Sequence, residues 1–123
     1  MSANPAPPNP LVKVTDVSLA GKHTITVGVN LDPIHLGGHG HGAVPIKWEI
    51  DPSSTPGWSF GQFGIGIPGH NDNFETGPIE PGGKHCTWTR RAGKVDGKTY
   101  KYQITVTDGN TTVVVDPIII NEG

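Results

Sequence analysis

The chain has 123 residues, with 18 glycines, 12 prolines, a single cysteine and a formal net charge of -2. That length suits one domain with a real hydrophobic core and leaves no room for a second, and the weak negative charge gives no field that would draw the chain to nucleic acid or to an anionic membrane surface. The lone cysteine, Cys86, rules out an internal disulfide and points to a reducing compartment, with the cytoplasm as the default and export without a cleaved signal left open.

Residues 1–10 contain four prolines and no apolar run, so they form neither a signal peptide nor a membrane span. A disordered, proline-rich leader is expected there, ahead of a single domain over 11–123. Strands are expected over 12–17 and 22–31; in the second, Ile25, Val27 and Val29 alternate with Thr24, Thr26 and Gly28. Residues 31–45 break the alternation with four glycines and three histidines and read as a long loop. A loop of this length in a small domain tends to serve recognition.

Ile46, Trp48 and Ile50 mark a third strand with Trp48 facing inward, stopped by the prolines and glycine of 51–57. Trp58 and Phe60 then share one parity while Phe63, Ile65 and Ile67 share the other, so a bulge near Gly61 repairs the register. Residues 68–83 form the second long Gly/Pro-rich loop, with space for a short strand at 73–76. In the next strand, 85–91, Cys86 and Trp88 take the core side.

Six of the nine basic residues (Lys84, Arg90, Arg91, Lys94, Lys98 and Lys101) fall between 84 and 101 and read as a solvated face. Tyr100, Tyr102, Ile104 and Val106 alternate without a break before Asp108-Gly109-Asn110 turns the chain into 112–115, the signature of a hairpin. After Asp116-Pro117, residues 118–120 are expected to resume pairing on an edge, where strand addition from a second copy would make a weak homodimer of an otherwise monomeric chain.

About seven strands at this spacing predict an all-β, antiparallel sandwich with two long loops. The inward Trp48, the Tyr100-x-Tyr102-x-Ile104-x-Val106 strand and the terminal hairpin together resemble bacterial immunoglobulin-like and fibronectin-type sandwich domains. The resemblance covers about half the chain and implies architecture, not an activity. The cysteine pair that flanks such a tryptophan in antibody domains is absent.

His35, His39 and His41 are the sharpest chemical constellation, since imidazoles within one glycine-rich loop suit Cu(II), Ni(II) or Zn(II), with His70 or His85 as a fourth ligand. A blue-copper site is not expected, because no histidine follows Cys86 and the only methionine is Met1. Gly64-x-Gly66-x-x-Gly69 matches the dinucleotide-binding pattern by letter but has no helix to follow it. Cys86 and His85, adjacent on a strand, would point to opposite faces and cannot act as nucleophile and base, and no other catalytic signature is present. Trp58, beside the Pro56-Gly57 turn, is the candidate for stacking on a sugar, and Asn110-Thr111-Thr112 is a glycosylation sequon. The leading expectation is a non-enzymatic binding module that presents loops 31–45 and 68–83 to an unknown protein or ligand. The alternatives are a metal-binding protein and a carbohydrate-binding module.

Overall fold

The computed structural model describes residues 6–123. Branched residues alternating with polar ones give the longest hairpin, β1 (Leu11–Leu19) and β2 (Lys22–Val29), paired antiparallel with Leu19 opposite Lys22. Ala20 and Gly21 turn the chain with φ of 51° and 76°, the left-handed conformation whose twist matches a two-residue hairpin loop. There follow β3 (Ile34–His35), β4 (Val44–Ile50), β5 (Ser59–Gly66), β6 (Phe74–Ile79), β7 (His85–Arg90), β8 (Thr99–Lys101), β9 (Gln103–Thr107), β10 (Thr112–Val115) and β11 (Ile118–Ile120). No helix occurs among the described residues.

The larger sheet has the order β2-β1-β4-β7-β6, and two smaller ones have the orders β10-β9-β5 and β3-β11-β8. The smaller sheets are nearly continuous. Only Tyr102 separates β8 from β9, and its N–H donates to the Pro117 carbonyl at 2.9 Å, so the terminal hairpin runs on through the Asp116-Pro117 interruption. Pairing is antiparallel except where β1 meets β4 and β11 meets β3. All the sheets share one core, an all-β arrangement compatible with a β-sandwich.

The inward parity of most expected strands supplies that core, while Ile25, Val27 and Val29 of β2 pack against it only partly buried. Val12 and Val14, Ile46, Trp48 and Ile50, and Cys86 and Trp88 come from the larger sheet, and Tyr102, Ile104 and Val106 come from the opposite side. The Trp48 indole N–H donates to the Tyr102 hydroxyl at 3.1 Å and that of Trp88 to the Ile65 carbonyl at 3.1 Å, so neither buried indole is left unpaired. Burial pushes the Tyr102 hydroxyl well above the usual tyrosine range, with the Trp48 bond opposing it.

Five features depart from the sequence reading. The described residues form eleven strands because loop 31–45 holds the two-residue β3, too short to show a period, and the expected 99–107 strand is split at Tyr102 into β8 and β9, while the strand expected at 73–76 is present as the longer β6. The bulge does lie between Phe60 and Ile65, but Phe63 sits on it and is 79% exposed, so inward parity resumes only at Ile65. The expected disordered leader is, over its described part, packed: Pro8 and Pro10 are buried, and their carbonyls accept the N–H groups of Lys47 and Glu49 at 3.1 and 3.0 Å. Proline lacks a donor but keeps its acceptor, so it can still cover one side of β4; residues 1–5 of the leader lie outside the described residues. Loop 31–45 is anchored by β3, with Ile34 and Leu36 fully buried. Finally, β11 is not an edge strand, because β8 and β3 flank it on both sides.

Candidate functional site

β4 and β7 run antiparallel, so the strand pair has two ends: one at Val44 and Arg90, the other at Glu49 and His85. At the first, Arg90 follows Cys86 and Trp88 on the inward parity and is fully buried. Its Nη2 donates to the carbonyls of Gly40 and Gly42 at 2.8 and 3.0 Å, and its Nη1 to Asn121 Oδ1 and the Glu122 carbonyl at 3.1 and 3.3 Å. The planar guanidinium suits four acceptors held by two separate chain segments. Its Nε has no partner, and burial lowers the Arg90 pKa while Asp96 opposes that shift.

The network continues outward. Asn121 Nδ2 donates to the Lys94 carbonyl at 2.9 Å and to Asp96 Oδ1 at 3.0 Å, and the other Asp96 oxygen accepts from Asn73 Nδ2 at 2.8 Å and from the Tyr100 hydroxyl. Burial acts to raise the Asp96 carboxyl, but bonds from the Tyr100 hydroxyl, the Lys98 N–H and Asn121 outweigh it and hold the group below the usual carboxylate range. Burial and the Asp96 bond raise the Tyr100 hydroxyl. Backbone bonds complete the tie, from Gly38 to Gly123, Gly93 to His41 and Arg91 to Asn73 at 3.0, 2.7 and 2.9 Å. Parts of loops 31–45 and 68–83, the 91–98 segment and residues 121–123 thereby form one hydrogen-bonded end.

Of the predicted metal ligands, His35, His39, His41 and His70 lie at this end without converging. His35 is exposed; its Nδ1 accepts the Gly37 N–H at 3.1 Å, and its Nε2 lies 3.6 Å from a Glu122 carboxylate oxygen. His39 is half-buried, and the His41 ring lies against Gly123, where an added Cβ would come within 2.9 Å of Nε2. The His70 ring stands edge-on to Trp88 at 5.2 Å between centroids, with a buried Nδ1 that has no partner. His85 is at the far end of β7. Among the described residues, no three His, Cys, Asp or Glu side chains form a group that could hold a metal ion.

At the second end, a cleft of about 390 Å³ opens between the close of β4 and the start of β7, lined in part by Glu49, Asp51, Thr55, Lys84 and His85. Its polar side chains are already engaged. His85 Nε2 lies 2.8 Å from Glu49 and its Nδ1 3.2 Å from Glu80, while Lys84 Nζ donates to the Trp58 carbonyl. The backbone and hydroxyl of Ser53 hold the Asp51 carboxyl below its ordinary range. Cys86 points the opposite way from His85, into the core, and burial pushes its thiol up.

Trp58 is 1% exposed, so the ring that was the candidate for sugar stacking has no free face. The chain between the Pro56-Gly57 turn and β5 carries it into the core rather than leaving it at the rim. The sequence reading placed Arg90 on a solvated basic face, but it is fully buried; parity offered the signal, since an arginine in step with Cys86 and Trp88 has to find acceptors inside. No protein-family model and no curated protein matches the chain.

Proposed function

We propose that the chain is an immunoglobulin-like sandwich acting as a non-enzymatic binding module, with its recognition surface at the Arg90 end. One observation carries this reading: segments from separate parts of the chain are tied to a single buried guanidinium, so the exposed His35, His41, Asn71, Asp72, Arg91 and Lys94 stand on a frame already ordered before any partner arrives. Pre-ordered loops lose little conformational freedom on binding, which leaves more of the contact energy as affinity.

The test is to titrate isotopically labelled chain with the purified products of genes neighbouring its own and to follow amide shifts. Perturbations over 35–43, 70–73 and 91–98 are expected; changes centred on the Glu49–His85 cleft would move the surface to the other end. The metal alternative predicts saturable heat on titration with Cu(II), Ni(II) or Zn(II) that disappears in the H35A/H39A/H41A variant. Heat that survives in that variant would place any metal elsewhere.

A further inference from the structure

β2 is the longest uninterrupted strand on a sheet edge among the described residues. A two-residue turn makes Leu19 and Lys22 a hydrogen-bonded pair, so the backbone groups of Lys22, Thr24, Thr26 and Gly28 point at β1. Asn30 keeps the phase, its N–H donating to the Leu11 carbonyl at 3.1 Å. The N–H and C=O groups of His23, Ile25, Val27 and Val29 therefore point out of the sheet, and among the described residues they have no partner.

The other edges carry obstacles to strand addition. β6 contains Pro78 and loses register between Thr76 and Ile79, and β5 loses register between Phe60 and Ile65. β10 has four residues and runs into Asp116-Pro117, β8 has three and β3 has two. β2 has no proline, no bulge and no charge beyond its first residues.

We propose that β2 pairs antiparallel with β2 of a second copy of the chain, across a two-fold axis at Thr26, joining the two larger sheets into one. In that register Ile25 faces the partner's Val27, and His23 faces the partner's Val29. Each is a hydrogen-bonded pair, which gives about eight new N–H···O bonds and satisfies every outward group of both strands. Moving the axis to Ile25 or to Val27 leaves Val29 or His23 without a partner in β2, so the strand's own phase selects the register. On the exposed face Thr26 meets the partner's Thr26, Thr24 meets the partner's Gly28 and Lys22 meets the partner's Asn30, with no like charges opposed. Since Thr15 already pairs with Thr26 inside each chain, threonines line up right across the seam. On the inner face Ile25, Val27 and Val29, which are only partly buried in one chain, gain cover from the partner's same residues.

Sedimentation velocity of the full chain over a micromolar-to-millimolar series tests this. A reversible dimer is expected, and hydrogen exchange should show the amides of His23, Ile25, Val27 and Val29 gaining protection with concentration while those of Thr24, Thr26 and Gly28 do not change. T26K and T26E should each weaken the dimer about fivefold by placing like charges across the axis, and an equimolar mixture of the two should restore it. V27P removes an outward N–H but no bond to β1, and should abolish the dimer while near-ultraviolet tryptophan dichroism reports an intact core. A chain that stays monomeric to millimolar concentration overturns the proposal, as does a dimer that T26K, T26E and their mixture leave unchanged.

Discussion

At Arg90, β7 ends in a guanidinium that is shut away from water and bonded to three carbonyls and an amide. Five residues earlier, at His85, the same strand begins with an imidazole set between the Glu49 and Glu80 carboxylates, where all three side chains remain a third to a half exposed. Both ends are rich in hydrogen bonds, yet the physical consequences differ. Removing one member of a buried set strands all the others in a medium that cannot solvate them, whereas water replaces a lost partner at an open cleft. The loops at the Arg90 end are therefore held by something that cannot be exchanged for solvent, while the cleft at His85 is held by contacts that can.

The largest effect that would sharpen this contrast is that of Arg90→Ala, expected to cost about 3–5 kcal/mol in chemical denaturation by leaving the Gly40, Gly42 and Glu122 carbonyls and the Asn121 side chain unpaired. Amides over 36–43 should lose exchange protection in that variant more than those of β1. Asp96→Asn should cost about 1–2 kcal/mol, since the amide keeps one acceptor oxygen where the carboxylate has two, so either the Tyr100 and Asn73 bonds or the Asn121 bond loses its acceptor.

The pH dependence follows from the same group. The folded state holds Asp96 below its ordinary 3.8, so its stabilising share is complete above that value and fades as pH falls through the lower folded one. An acid titration of stability should slope downward below about pH 4 and do so less steeply in Asp96→Asn. The remaining slope belongs to Asp51 and Asp108, which backbone N–H groups lower in the same direction.

His85→Ala, at the other end, should change stability by no more than about 1 kcal/mol, since water replaces the partners of a part-exposed side chain. A loss there matching that of Arg90→Ala would break the contrast altogether.

The sequence made the strands legible wherever alternation ran for five residues or more. Trp48, Cys86, Trp88 and the Tyr100-to-Val106 series all enter the core on the expected parity, and the bulge after Phe60 lies where two parities collide. The shortest element was invisible, because β3 offers two residues to a period of two, whereas the pairing of residues 118–120 was expected and only their edge position was not. Composition misled at both ends of the expected domain: Pro8 and Pro10 pack as acceptors along β4, and Ile118 to Ile120 are sandwiched between neighbours rather than set on an edge. Loop 31–45 stood out by its glycine and histidine content, but the residue whose guanidinium holds two of its carbonyls lies nearly fifty positions away. A partner at that separation leaves no local pattern, and only the inward parity of Arg90 hinted at it.

Cys86 offers a use of its own. It lies 2% exposed beneath β5, where a side-chain carbon at Gly64 would come within 3.3 Å of its sulfur, and its thiol is held in the protonated, unreactive form. Alkylation can therefore proceed only while β5 is lifted away from β7, so the labelling rate under native conditions counts those excursions. The molecule carries its own clock for the opening of its interior, readable by mass and requiring no added probe site.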